Sequence, residues 1–170
     1  QKLVDELHQA GDGVILDWTP AQFPRYASGL EKFDGTPLYE RQNPAEAIHP
    51  FWGTLLYNYG SPMVKDFLIS NACFWAEVYH ADGLRMDDVD AMLYLDYGRN
   101  PGEWTPNIYG TNENLDALEF LKHLNSVIKE RNPGLLLVAQ ENGLWPELTD
   151  SVENDHLGFD YKWSGGWTKD

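Results

Sequence analysis

The sequence is poor in several things, and each shortage narrows what the protein can be. Its one cysteine, Cys73, sits in an apolar helical pattern, so no internal disulfide staples the chain and the thiol reads as a reduced core residue. That usage fits the cytoplasm better than a secreted scaffold. Basic residues are scarce, 12 against 27 acidic ones, for a formal net charge of -15. Nucleic acid and anionic membrane both need a basic surface, so neither is expected as a partner. No apolar run approaches the ~20 residues needed to span a bilayer, and no signal peptide opens the chain. The five histidines lack metal-ligand spacing of the His-Glu-x-x-His kind. Asp87-Asp88-Val89-Asp90 contains an Asp-x-Asp pair that can hold a divalent ion, but lacks the glycine and distal glutamate of a calcium loop. No metal and no cofactor is expected. A start methionine and a helix cap are missing at Gln1, and Gly166 to Asp170 carries no terminator, so the sequence reads as a piece of a longer protein.

What is present suits one globular domain over 1–170, since a chain of 170 residues that is 42% hydrophobic can bury a sizeable core. Aromatics are plentiful, with seven Trp and nine Tyr. Flat amphipathic rings stack on pyranose faces, and the same rings also fill a core.

Leu3, Val4 and Leu7 have helical spacing, and Gly11 follows as a C-cap. Gly13 to Trp18 reads as a buried strand carrying Asp17 near its end. Residues 19–60 form a long loop or subdomain insertion rich in Gly, Pro and aromatics, the kind of segment that is usually functional. Ser61-Pro62 marks a helix start, and apolar positions from Val64 to Val78 continue it. A second long helix runs from near Asn112 to the break at Asn132-Pro133-Gly134, and Leu135 to Glu141 is a near-continuous apolar strand. Alternating helices and buried strands predict an α/β fold with a parallel sheet, in which polar residues at the C-terminal strand ends converge on one site. Periodicity does not separate an eight-fold barrel from an open sheet.

The run from His80 to Asp87 lies at the centre of this order. As a strand it places Arg85 and Asp87 on one face and Leu84 and Met86 on the other. A carboxylate beside a guanidinium is expected to have a lowered pKa and stay ionised, which suits a nucleophile or cation stabiliser. The same pair would also serve as a structural ion pair. Two carboxyl groups about 5 Å apart can run retaining glycoside chemistry, one attacking the anomeric carbon and the other handling the proton.

The strand ends, with Phe33-Asp34-Gly35-Thr36, Trp52-Gly53-Thr54, Asn58-Tyr59-Gly60, Met92 to Tyr97 and Gly158 to Trp163, resemble the bacterial 1,4-α-glucan (glycogen) branching enzymes of the α-amylase superfamily. The resemblance covers nearly the whole chain. It implies part of a (β/α)8 TIM barrel, about strands 3 to 5, with an α-glucan such as amylose or glycogen as partner. It also implies cleavage of an α-1,4 bond through a covalent glucosyl-enzyme and transfer to a 6-hydroxyl in glycogen biosynthesis. Carried over by position, Asp87 matches the nucleophile, Arg85 the arginine that orients it, and Asp17 a substrate-contacting aspartate. Gln22 stands where the family has a histidine that donates to the sugar; a glutamine amide can still donate. Trp52, Tyr59 and Trp104 are the further expected substrate contacts.

At the fifth strand the family reads Ala-Glu-Glu-Ser and this chain reads Ala139-Gln140-Glu141-Asn142. Gln140 therefore occupies the acid/base position, and an amide has no proton to give. Glu141 faces the opposite side of a regular strand and would need a bulge or slip to substitute. Asp88 and Asp90 stand where the family has small or apolar residues; Asp88 reads as a solvated loop residue, and either would raise the pKa of Asp87 if it faced the same cleft. Ser164-Gly165 replaces Asn-Met. The seventh-strand carboxylate lies beyond residue 170. The chain alone is thus expected to be inactive, and a silent glucan-binding paralogue is the alternative. Open sheet edges imply that the isolated chain self-associates.

Overall fold

The computed structural model describes residues 1–165 apart from 27, 144 and 147, so the 166–170 tail lies outside the described residues. Helix α1 (Lys2–Ala10) ends where Gly11 adopts the left-handed conformation and its N–H bonds back to His8 and Leu7 carbonyls, as the glycine predicts. Strand β1 (Ile15–Trp18) follows. The 19–60 region is more ordered than a loop. It holds a short antiparallel pair, β2 (Gln22–Phe23) with β3 (Leu55–Leu56), and a single turn of helix, α2 (Pro44–Ala47). Helix α3 (Pro62–Glu77) starts at a proline whose fixed φ suits the first turn; Ser61 precedes it without a side-chain cap bond. Then come β4 (Gly83–Met86), the short α4 (Val89–Leu93), α5 (Leu115–Arg131), β5 (Leu136–Gln140), a 3-10 turn (Val152–Asn154) and β6 (Tyr161–Trp163). Asn114 caps α5, accepting a hydrogen bond from the Ala117 N–H at 3.3 Å.

β1, β4, β5 and β6 form one parallel sheet in chain order. β6 is a strand beyond the three expected from the sequence. Three residues are too few to show alternation, so only its pairing with β5 reveals it.

The pleat sorts the sheet into two faces. Trp18, Leu84, Met86, Leu137 and Ala139 join Val64, Leu68, Phe120, Leu121 and Leu124 of α3 and α5 in one buried cluster. The opposite face carries Ile15, Asp17, Arg85, Val138, Tyr161 and Trp163 around a cavity of about 600 Å³. Gly83 sits in this second face because a Cβ there would lie 3.0 Å from the Leu136 carbonyl and 3.1 Å from Ile15. Sequential strand order with α3 and α5 packed together on one side fits one arc of a barrel. A doubly wound sheet would reverse its order and carry helices on both faces. Among the described residues no helix is long and apolar enough to cross a membrane.

β6 is fastened to β5 at its entry by Asp160, whose carboxylate accepts the buried Leu137 N–H and the Lys129 ammonium, each at 2.8 Å. Asp160→Ala leaves that N–H without its acceptor and is expected to cost about 1–3 kcal/mol, read from the urea midpoint. Asp160→Asn keeps an acceptor oxygen and should lose less; equal losses in both variants would mean that charge, and not the buried N–H, dominates.

Candidate active site

Asp17 and Arg85 are register partners on adjacent parallel strands, so the ladder itself sets them side by side. Arg85 donates to Asp17 through Nε at 2.8 Å and Nη2 at 3.3 Å, and through Nη1 to Asp87 at 3.1 Å. One guanidinium thus joins two carboxylates from two strand ends, the arrangement its fixed fork favours. The Asp87 N–H is held by the Trp18 carbonyl at 2.9 Å. Trp163 of β6 brings its ring to 5.7 Å from the Arg85 guanidinium carbon, covering the cation.

The expectation of a lowered Asp87 pKa is overturned. Burial pushes it above the ordinary carboxylate range, Arg85 opposes, and the neighbouring Asp88 and Asp17 charges push it up further. The sequence pattern shows the adjacent arginine but not the depth of the cleft.

Asp88 is likewise not a solvated loop residue, being only 9% exposed. It adopts the left-handed conformation at φ 60, where the chain turns from β4 into α4. Its Oδ2 lies 2.8 Å from His49 Nε2 and accepts from Gln22 Nε2 at 2.9 Å. Burial first, then the Asp88 and Asp90 charges, push the nearby Tyr97 phenol up to about 12. His49 Nδ1 accepts the Phe51 and Trp52 N–H groups at 3.2 and 3.3 Å, which places the ring proton on Nε2, toward Asp88. The sequence reading missed His49 and Tyr97 altogether; the exchange of a small residue for Asp88 was the signal that a partner had to exist.

Gln140 ends β5 beside this cluster. Its Oε1 accepts the Asp88 N–H at 3.0 Å, and since an amide nitrogen cannot accept, the Nε2 group is the end left to face away from that contact. Glu141 follows without a bulge and turns to the other side, fully buried, in an ion pair with Lys162. Burial raises its pKa, the nearby Asp90 adds to the rise, and Lys162 opposes. Asp90 is itself buried and accepts the Asn142 and Gly143 N–H groups at 2.9 and 3.3 Å, fixing the turn after β5.

The other expected contacts divide. Gln22 has its amide spent inside the protein, Nε2 on Asp88 and Oε1 on Thr54, so it is built into the wall as a support for Asp88. Tyr59 is 2% exposed, stacks on Phe120 at 5.2 Å and donates to the Pro20 carbonyl at 2.9 Å; it packs the core and does not line the cleft. Trp52 is 71% exposed, next to the His49 ring that ties its loop to Asp88. Trp104 is half-buried on a loop bound to α2 through Thr105 and Glu46.

Asp87 is expected to titrate above an ordinary aspartate in carbon-detected NMR of the chain. Asp88→Asn keeps the acceptor oxygen but removes one charge and should lower that midpoint without bringing it to the free value, because burial is the larger cause. In stability terms a raised folded pKa means that the contribution of Asp87 falls as pH rises through the interval between its unfolded and folded values. A midpoint at or below the ordinary value would show that Arg85 dominates.

No family model matches the chain. It is 54% identical over 168 residues, 99% of its length, to the 1,4-alpha-glucan branching enzyme GlgB of Thermobifida fusca, and 51% identical over all 170 residues to the enzyme of that name from Chlamydia muridarum. The chain spans about a fifth of the length of these curated relatives, 22% and 23%. Among solved structures, an Anoxybacillus alpha-amylase superposes with a TM-score of 0.65 at 17% identity, covering 99% of this chain and 33% of that one. The Geobacillus thermoleovorans alpha-amylase complexed with acarbose gives 0.60 at 19% identity over 95% of this chain and 32% of that one. The chain is thus similar, over nearly its whole length, to about a fifth of the 1,4-alpha-glucan branching enzymes, and its fold is that of part of a (β/α)8 barrel.

Proposed function

We propose that this segment supplies the nucleophile half of an α-glucan-branching site, acting in a full-length protein that cleaves an α-1,4-glucan and transfers the chain to a 6-hydroxyl. The observation that carries the reading is Arg85 clamped between Asp17 and Asp87 at adjacent strand ends, facing an open cleft. Asp87 attacks the anomeric carbon and forms the glucosyl ester. Arg85 holds the attacking carboxylate in one orientation, and Asp17 anchors Arg85 from the next strand and reaches toward the sugar. Trp52, exposed at the mouth, offers a stacking face for a glucose unit. The substrate is an α-glucan of the amylose or glycogen type, the setting glycogen biosynthesis in the cytoplasm.

Gln140 stands at the acid/base position, so departure of an ordinary sugar alcohol goes unassisted in the chain as written. Glu141 does not replace it, because it points to the opposite side of β5 and is committed to Lys162. The likeness to branching enzymes over nearly the whole chain favours this reading over a silent glucan-binding paralogue. Residues 19–60 act as the insertion that roofs the site, bringing Gln22 and His49 to Asp88. The isolated chain, with β1 and β6 as open edges and Ile15, Tyr161 and Trp163 exposed, is inactive and self-associates. A compact, stable monomer in sedimentation would count against that last statement.

An amylose-branching assay on the full-length protein carrying this segment tests the reading. Gln140→Glu should raise branching by about 10²–10⁴-fold, the usual worth of a positioned acid/base, and Asp87→Asn in that background should abolish it. Branching that survives Asp87→Asn would place the nucleophile elsewhere.

A further inference from the structure

β6 sets an aromatic ring against the arginine that holds the nucleophile. Trp163 is the register partner of Gln140, and Tyr161, two residues earlier, is the partner of Val138, which in turn pairs with Arg85. Alternation therefore puts Trp163 on the cleft face one layer beyond Arg85, level with the strand ends that carry Asp87 and Gln140. From there its ring lies 5.7 Å from the Arg85 guanidinium carbon. Asp17 and Asp87 take the edges of the guanidinium and the indole takes a face. A planar cation held along its edges by two carboxylates and on its face by a ring is limited in tilt as well as in reach.

Trp163 is itself fixed from the other side of the strand. Lys162, the residue before it, turns away from the cleft, donates to the Gly143 carbonyl at 2.8 Å and pairs with the buried Glu141. The Glu141 N–H donates to the Trp163 carbonyl at 3.2 Å. The ion pair behind the sheet thus keeps β6 in the register that brings the indole over Arg85.

Resting on the reading above, we infer that Trp163 is a positioning residue for the glucosyl-transfer step, acting through Arg85 to hold the Asp87 carboxylate on its line of attack. The indole forms no bond in the reaction. Covering a guanidinium face keeps water from it, which strengthens the hydrogen bonds that Arg85 gives along its edges. It also restricts rotation of the arginine, so the Asp87 oxygen that Nη1 holds at 3.1 Å stays in place. Nucleophilic attack is sensitive to displacements of that carboxylate on the ångström scale, so a loosened arginine is read as slower ester formation.

The test uses the full-length protein carrying this segment and an aryl α-maltoheptaoside whose phenol leaves as the anion, so that kcat/KM follows formation of the Asp87 ester. Trp163→Leu keeps apolar bulk and removes the π face, and should lower kcat/KM by about 10-fold, the fold-change that one well-placed cation–π contact carries. It should also move the acid limb of the kcat/KM profile to higher pH, because burial, Asp88 and Asp17 push Asp87 up and Arg85 is the group that opposes them. Trp163→Phe keeps a smaller ring and should show both effects in lesser degree, so the role is read from either variant. Equal losses of rate in the two variants with an unmoved acid limb would be a structural effect, and would overturn the positioning role while the branching reading stands. Weaker maltoheptaose binding with an unmoved limb would make Trp163 a sugar-stacking residue and overturn it equally, as would a Trp163→Leu protein that behaves as the unchanged one. If the folded, unchanged protein releases no phenol, or Asp87→Asn releases it as fast, the branching reading fails and the inference falls with it.

Discussion

The candidate site depends on one guanidinium. Arg85 lies in the second face of a parallel sheet, opposite Asp17 in register and two residues before Asp87, so it reaches a carboxylate on its own strand and another on the next. Both contacts follow from the pleat and the ladder, which repeat every second residue and every strand. The apolar partners in β4, Leu84 and Met86, are fully buried against the helices, which prevents the strand from rotating and carrying Arg85 away. Packing on one side therefore fixes the chemistry on the other.

Around this clamp the protein buries Asp88, Asp90 and Glu141, and the two aspartates have their own donors. Asp88 has His49 and Gln22, Asp90 has the backbone N–H groups after β5, and Glu141 lies in an ion pair with Lys162. Buried carboxylates without such partners would cost several kcal/mol each. The exchange of residue types at Gln22, Asp88 and Gln140 works as a set, since Asp88 touches both glutamines, one through its side chain and one through its backbone N–H.

The roof over the strand ends comes from the 19–60 region and the loop after α4. Arg99 donates to the Ala45, Glu46 and Ile48 carbonyls, binding the second loop to the first. Tyr97 meets His49 and Phe51 edge to face at 5.9 and 5.6 Å across that junction. These contacts carry the aromatic surface and hold the donors that surround Asp88.

Much of the framework was legible in the chain because it rests on local rules. Helices α1, α3 and α5 show their caps, prolines and apolar spacing, and β1, β4 and β5 show short apolar runs ending in polar residues. The side on which Arg85 and Asp87 fall, and the turning away of Glu141 from Gln140, follow from alternation alone. Tertiary structure decided what depends on distant partners. β6 exists only through its pairing with β5; Tyr59 belongs to the core because Phe120 lies beneath it; Gln22 is a wall residue because Asp88 and Thr54 take its amide; and Asp87 is raised because burial outweighs the arginine beside it. Sequence by itself determines which groups are present and which way each strand turns them, since those are properties of neighbouring residues. Whether a group is solvated, paired or buried is set by segments tens of residues away, and only the folded chain brings those together.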